Sequence, residues 1–170
     1  MLSIICGVDA STVTDQDRQY LRQCVDLARQ ALEAGDEPFG SVLVDSGGTV
    51  VHRDRNRIST GDATAHPELA LVRWAIEHLS TGVRARTTVY TSGEHCPMCS
   101  AAHAWAGMGR IVYASSSAQL AQWLTGWDLP EPPVRGLPIA TVAPNIPVAG
   151  PDEELAGQVR GLHLRYHGLS

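Results

Sequence analysis

The sequence predicts an α/β domain in which helices cover a central mixed β-sheet. Apolar residues at helical spacing alternate along the chain with short β-branched runs, a pattern typical of helices packed on a sheet. The first two runs are joined by Gly47-Gly48 and are expected to pair antiparallel, which would make the sheet mixed. With 170 residues, 44% of them hydrophobic, the chain is expected to form a single domain spanning residues 1–170.

The predicted elements follow one another in the order helix, hairpin, helix, strand, helix, strand, helix. Thr14 is the expected N-cap of the first helix and Gly35 its end, after a weakly specified lead-in over residues 1–13. Pro67 suits the first position of the second helix, which should run until Gly82. The remaining elements are strands at 41–45, 49–52, 87–91 and 111–113, and helices at 97–106, 117–124 and about 152–167. The proline-rich segment from about 128 to 150 should hold at most one strand, around 139–142.

Composition and charge argue against several classes of partner. The formal net charge of −5 and the pI of about 5.7 leave no broad cationic surface for a phosphate backbone, so a nucleic-acid partner is not expected. The amino terminus lacks a basic signal-peptide region, and no apolar run is long enough to span a membrane. Four cysteines without any sign of export favour a reduced, cytoplasmic setting. Cys6 is uninformative, and Cys24 lies on an apolar helix stripe and should belong to the core.

Two short motifs predict a catalytic zinc site. Cys96-Pro97-Met98-Cys99 supplies two thiolates, and His66-Pro67-Glu68, thirty residues upstream, supplies an imidazole and a carboxylate. His66 and Cys96 each precede a helix-opening proline, so two helix N-termini should converge on one point. Three protein ligands leave one position of a tetrahedral zinc for water, which distinguishes a catalytic site from a structural one. The histidine-glutamate and cysteine motifs in this order are the signature of zinc deaminases.

Glu68 is the expected proton carrier of this site. The residue is not needed as a ligand and lies two positions after His66. A carboxylate in reach of the zinc-activated water can take up its proton and pass it to a ring nitrogen and then to the departing amine. The predicted reaction is therefore hydrolytic deamination, which releases ammonia.

A closed structural zinc site is the alternative, because a Cys-x-x-Cys pair with a distant histidine also opens zinc ribbons. Such a site needs a fourth protein ligand. His103, four residues after Cys99, is the best candidate, since His95 adjoins Cys96 and Cys24 belongs to a helix stripe. The other histidines show no partner pattern and are expected at the surface; they are His52, His78, His163 and His167. Three tryptophans lie within predicted helices and are expected to pack; they are Trp74, Trp105 and Trp123.

From about Asp15 to Tyr113 the chain resembles the cytidine-deaminase-like superfamily, with the nearest likeness to bacterial guanine deaminases and cytosine-type nucleobase deaminases. Beyond the zinc motifs the likeness includes the strand-opening block from Glu37 to Val44 and Arg55-Asn56-Arg57. The resemblance implies a three-layer α-β-α fold with a five-stranded mixed sheet and one Zn²⁺ per chain. It also implies a homodimer or higher homo-oligomer, and an Asn56 side chain that binds the edge of the substrate ring.

Two departures from the family pattern bear on the substrate. Pro67 stands where relatives usually carry alanine, and it fits a helix start. Gly93-Glu94-His95 replaces the common Cys-Glu-Pro before the first cysteine, and these three residues are expected to line the substrate pocket. After Tyr113 the resemblance fades. Trp127-Asp128 roughly matches a Phe-Asp pair of guanine deaminases whose acid assists proton delivery; a packing tryptophan and a helix-ending aspartate are an equally good interpretation.

Three functions therefore remain in view. The first is a zinc-dependent deaminase of a free small molecule, such as guanine, cytosine or an s-triazine-like heterocycle. The second is a tRNA adenosine deaminase, which would need more basic residues than the Arg160 and Arg165 of the tail. The third is a non-catalytic member of the same fold that binds a ligand. Because His66, Glu68, Cys96 and Cys99 are all present, the first function is favoured.

Overall fold

Five strands form one mixed sheet in the order β2-β1-β3-β4-β5, as described by a computed structural model for residues 11–169. The strands are β1 Gly40–Val44, β2 Val50–Arg55, β3 Thr88–Gly93, β4 Arg110–Ser115 and β5 Val148–Ala149. The α-helices are α1 Asp15–Glu33, α2 Pro67–His78, α3 Thr81–Arg84, α4 Pro97–Trp105, α5 Ser117–Gly126, α6 Ile139–Val142 and α7 Glu153–Tyr166, with a 3-10 turn at Ile58–Thr60. Most of the expected lead-in, including Cys6, lies outside the described residues.

Strand directions bring the two sequence motifs to one end of the sheet. Strand β1 pairs antiparallel with β2 and with β3, and β3 and β4 run parallel. The amino end of β1 therefore lies beside the carboxyl end of β3, with Ser41 opposite Thr91. Because β3 ends at Gly93, the chain enters the Cys96–Cys99 motif at this same end.

Helices cover both faces of the sheet, which confirms the three-layer α/β fold with a five-stranded mixed sheet. Side chains alternate along β1, so that Val42 and Val44 face α1 and α7 while Leu43 faces α2. Cys24 is fully buried in the α1 layer, as its position on the apolar stripe predicts. Among residues 11–169, no helix combines the length and apolar character that crossing a membrane requires.

Helix starts follow the expected capping chemistry. Thr14 caps α1 in a capping box, in which its hydroxyl accepts from the Asp17 amide and the Asp17 carboxylate accepts from the Thr14 amide. Pro67 and Pro97 occupy the first helical positions of α2 and α4. These starts place His66 and Cys96 at the two N-caps, as the sequence predicts.

The strand expected near 139–142 is wrong. This stretch forms the short helix α6 after Pro138, and the fifth strand is Val148–Ala149, parallel to β4. A short apolar run fits a buried helical turn as well as a strand, so periodicity alone does not separate them. Ile139 is fully buried against Ile111 beside the sheet.

The expected surface position of His163 and the expected packing of Trp105 are also wrong. His163 is 3% exposed, because it lies on the inner face of α7 one turn after the buried Val159. Trp105 is 91% exposed, since Ala106 occupies the packed face of the α4 end and the tryptophan lies about 100° further around the helix.

Candidate metal centre

His66, Cys96 and Cys99 converge as the sequence predicts. His66 Nδ1 lies 3.6 Å from Cys96 Sγ and 3.7 Å from Cys99 Sγ, and the three ligand atoms all lie within 4.8 Å of one another. Tetrahedral zinc with ordinary Zn–N and Zn–S bonds separates such nitrogen and sulfur atoms by about 3.6 Å. The three donors therefore have both the chemistry and the spacing of a zinc site.

The alternative of a closed site finds no support in the described part of the chain. The metal-ligand cluster there comprises the three predicted residues. His103 Nε2 donates to the Gly109 carbonyl at 2.7 Å, so this ring is engaged away from the cluster. Cys24 lies in the core. With three protein ligands, one tetrahedral position remains for water.

Hydrogen bonds within the cluster favour a thiolate. The Cys99 thiol donates to Cys96 and, with help from His66, lowers the Cys96 pKa to about 4. The same contact with Cys96 raises the pKa of His66 to about 9. The pKa of Cys99 is raised in turn, because its proton is shared with the neighbouring sulfur. Two thiolates at this separation require a cation, which is the role of a bound metal.

Glu68 lies beside the ligands in the first turn of α2. Its side chain is 5% exposed, and Oε2 lies 3.9 Å from Cys99 Sγ. Thr91 Oγ1 donates to Glu68 Oε1 at 2.8 Å, and Ser41 Oγ donates to Thr91 Oγ1 at 2.9 Å. Burial raises the pKa of Glu68 above its ordinary value. A carboxylate in this environment is suited to accept and return a proton.

Asn56 keeps one donor without an acceptor. The residue is fully buried directly after β2. Its backbone amide donates to the Phe39 carbonyl at 3.0 Å, and its side-chain Oδ1 accepts from the Ile58 backbone amide at 3.0 Å. Its Nδ2 is buried without a hydrogen-bond partner among the described groups. Buried polar atoms are nearly always hydrogen-bonded, so an unpaired amide donor is unusual in a packed interior.

The Gly93–His95 segment is turned into the protein. A Cβ on Gly93 would lie 2.8 Å from Phe39 Cε1, so glycine allows the Phe39 ring to pack closely. Glu94 accepts from the backbone amides of Ser117 and Ile139. His95 is fully buried, its ring 5.5 Å from that of His103, and neither of its nitrogens has a partner among the described residues. A role for Gly93, Glu94 and His95 in lining the substrate pocket stays a prediction.

Residues 14–115 match the family described as the cytidine and deoxycytidylate deaminase zinc-binding region. The match spans both motifs and the strands that join them. The chain belongs to this family.

Relatives of this deaminase domain act on different substrates. It is 34% identical over 116 residues to a probable cytosine deaminase of Schizosaccharomyces pombe, covering 66% of this chain and 68% of that protein. It is 34% identical over 110 residues to the guanine deaminase of Bacillus subtilis, covering 64% and 69%. A solved structure from work on A-to-I editing by tRNA:A34 deaminases shares 26% identity at a TM-score of 0.58, covering 84% of this chain and 99% of that one. Deaminase chemistry is common to all three.

The part of the deaminase beyond residue 115 lies outside the family match and includes Trp127 and Asp128. Asp128 has a φ of 55° directly after α5, where its amide donates to the Thr125 carbonyl, so it ends that helix. The Trp127 ring lies 6.3 Å from His167, and the Arg160 guanidinium lies 5.4 Å from its centroid. These contacts fit the interpretation of a helix-ending aspartate and a packing tryptophan. A role for either residue in catalysis stays a prediction.

Two supporting features were not predicted from the sequence. The Ser41–Thr91–Glu68 hydrogen-bond chain depends on the β1–β3 register, which no local pattern reveals. Glu37 is a half-buried carboxylate before Phe39; burial raises its pKa, while the charges of His66 and His167 oppose the rise. Its position directly before Pro38-Phe39-Gly40 was the available signal.

Proposed function

We propose that this chain is a zinc-dependent hydrolytic deaminase of a free nucleobase or a similar aminated heterocycle, such as guanine, cytosine or an s-triazine. The observation that carries the proposal is the buried Glu68 carboxylate beside a cluster of three metal ligands. A structural metal site needs no such group. Membership of a deaminase family supports the same reaction.

The residues act on water and on the leaving amine. A zinc ion held by His66, Cys96 and Cys99 would lower the pKa of water to about 7 and so supply a nucleophile at neutral pH. Glu68 takes one proton of the attacking water and delivers it to a ring nitrogen, and it then carries the second proton of that water to the amino group, which leaves as ammonia. A C–O bond forms as the C–N bond breaks, and the products are an oxo-heterocycle and ammonia. Thr91 keeps Oε1 of Glu68 in one position through these transfers.

Asn56 is assigned to hold the edge of the substrate ring. Its unpaired Nδ2 can donate to a carbonyl or ring nitrogen, which every candidate heterocycle offers. Its other polar atoms are fixed by Phe39 and Ile58, so the donor is rigidly placed. A site with one fixed donor orients a small ring before any chemistry takes place.

The test is an ammonia assay of the zinc-loaded protein with guanine, cytosine and 2,4,6-triamino-s-triazine. At least one of these should be deaminated by the wild type, whereas Glu68→Gln should bind zinc normally and lose about 100-fold to 10,000-fold in rate. Glu77→Gln, an exposed glutamate on the same helix, is the matched control and should keep full activity. If no heterocycle releases ammonia, the proposed function is wrong; if Glu68→Gln loses zinc, the residue is a ligand.

Adenosine in tRNA is the second candidate, since the domain also resembles structures of tRNA:A34 deaminases. The net charge of −5 and the engagement of Arg160 with Trp127 weigh against it. A gel-shift titration with tRNA at low and moderate salt separates the two. Binding that weakens with salt, together with inosine formation, would favour tRNA, whereas no binding at low salt would exclude it.

We further infer a cytoplasmic enzyme that acts on a small molecule as a homodimer or higher homo-oligomer. The oligomer rests on the family resemblance. Sedimentation of the zinc-loaded chain tests it, and a monomer at micromolar concentration would contradict it.

A further inference from the structure

Glu94 connects the metal-binding loop to two distant helix starts. Its Oε2 accepts from the Ser117 amide at 2.8 Å, and its Oε1 accepts from the Ile139 amide, also at 2.8 Å. Both amides belong to the first residue of a helix, α5 and α6 respectively. Such amides have no partner within their own helix, and a carboxylate there is stabilised further by the helix dipole.

The backbone of Glu94 is itself fixed at the end of the sheet. Its amide donates to the Ser115 carbonyl at 2.8 Å, and the Ser115 hydroxyl donates to the Ser92 carbonyl at 2.9 Å. These bonds join the carboxyl ends of β3 and β4. Glu94 is also two residues before Cys96, so the position of its carboxylate and that of the first thiolate are set by the same short piece of chain.

The two helix starts enclose a part of the chain that lies outside the family match. Ser117 and Ile139 lie beyond the family match, which ends at residue 115. The irregular stretch between them, residues 127–138, is mostly exposed and contains Trp127 and Asp128. At its start, the Trp127 ring lies near Arg160 of α7 and His167 at the end of that helix. At its end, the chain reaches the fully buried Ile139. One carboxylate thus binds both ends of the longer segment that runs from Ser117 to Ile139.

We propose that Glu94 is a positioning residue that holds residues 117–139 against the metal-binding loop, so that this segment forms a wall of the substrate site. The proposal rests on the proposed deaminase function for its substrate, but the tie itself is independent of that function. Glu94 does not touch the substrate, since both of its carboxylate oxygens are engaged by the backbone. Glu94 fixes the position of residues 117–139 relative to Cys96.

The test compares Glu94→Ala with Ser116→Ala. Ser116 caps the same α5 helix through the Gln119 amide, so its removal loosens α5 without cutting the connection to the metal loop. Peptide-level hydrogen exchange should accelerate at least ten-fold across residues 117–142 in Glu94→Ala, including α6. In Ser116→Ala only the start of α5 should respond. Both variants should keep one zinc per chain, because neither removes a ligand.

Steady-state kinetics on whichever heterocycle the wild type accepts give the second readout. Glu94→Ala should raise KM about five-fold or more with little change in kcat, and Ser116→Ala should leave both at wild-type values. Glu94→Gln, which keeps one acceptor oxygen, should fall between Glu94→Ala and the wild type in exchange and in KM, and it serves if the alanine variant does not fold. A loss of kcat alone, or equal KM values for Glu94→Ala and Ser116→Ala, would overturn the proposal.

Two further outcomes separate this inference from the proposed function. If exchange over 117–142 is unchanged in Glu94→Ala, the tie does not hold the segment and the inference fails whatever the enzyme does. If the wild type deaminates nothing but exchange rises as expected, the proposed function fails while the tie stands. A change in preference between guanine and cytosine without any change in exchange would instead show direct substrate contact by Glu94, and would also overturn the proposal.

Discussion

Thr91 Oγ1 donates a 2.8 Å hydrogen bond to Glu68 Oε1, and this contact links the central strand β3 to α2, the helix that begins directly after His66. The donor is itself held by Ser41 on β1, so three elements meet at one carboxylate. Glu68 is thereby given a fixed orientation in a buried environment. A proton carrier must lie at a defined distance from both the proton donor and the proton acceptor, and the Ser41 and Thr91 hydroxyls hold the Glu68 carboxylate in one position.

Replacing Thr91 with valine should lower kcat while leaving the zinc content unchanged. Valine keeps the shape of the side chain but removes the donor to Glu68. A hydrogen bond to a charged group contributes about 1.5–3 kcal/mol, which corresponds to roughly a 10-fold to 100-fold loss of rate if the bond persists in the transition state. Steady-state kinetics and metal analysis of the purified variant measure both effects.

The matched control is Thr87→Val. Thr87 is equally buried at the other end of the same sheet, and its hydroxyl donates to the Arg84 carbonyl at 2.8 Å. Its loss should cost about 1 kcal/mol of stability without changing kcat. Equal kcat values for the two variants would show that the Thr91 hydroxyl serves stability alone.

Removing any of the three ligands should abolish stoichiometric zinc binding. His66→Ala, Cys96→Ala and Cys99→Ala each leave two donors, too few for a tight tetrahedral site. Cys24→Ala is the control, since this cysteine is buried in the core away from the cluster. Atomic spectroscopy after gel filtration over a mild chelator should give one zinc per wild-type and per Cys24→Ala chain, and little in the ligand variants. Full zinc in a ligand variant would point to another donor set.

The site was predictable from sequence where its residues are local to a helix start. A proline after His66 and after Cys96 fixes the backbone of each ligand, and a separation of three residues puts Cys99 on the first turn beside Cys96. The sequence had also to predict that the two helix starts lie close together, and the alternation of helices and strands predicted this. The general α/β fold followed from the same alternation.

Contacts between distant segments were not predictable in this way. Glu94 adjoins the metal motif, and nothing in its neighbours reveals that its acceptors bind amides 23 and 45 residues away. The segment 139–142 became a helix because Pro138 precedes it and Glu94 caps it, although its apolar composition suits a strand equally well. The burial of His163 was not predicted, because a histidine by itself does not indicate burial. Its spacing of four residues from Val159, on the same face of α7, was the signal that indicated burial.

The stability of the protein should decrease between pH 7 and pH 5 through His163. This ring packs between Phe39 and Trp123, with centroid distances of 5.0 Å and 6.2 Å. Burial, and to a lesser extent the charge of His167, lowers the pKa of His163 to about 3. The unfolded chain therefore binds a proton below about pH 6.5 that the folded chain does not, and the stability is lost as the pH falls below this value.

Urea unfolding of wild type and His163→Leu at pH 7, 6 and 5 isolates this contribution. From pH 6 to pH 5 the wild type should lose about 1 kcal/mol more than the variant, because only the wild type has this histidine to protonate on unfolding. The carboxylates with lowered pKa, such as Asp17 and Asp152, lose their contribution only at lower pH, and they are common to both proteins. Parallel pH profiles for the two proteins would contradict the prediction.

Two glycines should respond to alanine in opposite directions. Gly157 lies on the exposed side of α7, where an added Cβ would have nothing within 4 Å, so Gly157→Ala should stabilise the helix by about 0.5–1 kcal/mol and raise Tm by about 2–3 °C.

At Gly40 a Cβ would lie 2.6 Å from the Cys24 carbonyl oxygen and 2.7 Å from the Ala28 amide nitrogen. Because these are backbone atoms of α1, the helix must move away from β1, and Gly40→Ala should lower Tm by several degrees or prevent folding. Thermal unfolding of the zinc-loaded variants measures both changes, and a Gly40→Ala protein as stable as wild type would show that α1 does not pack this closely on the sheet.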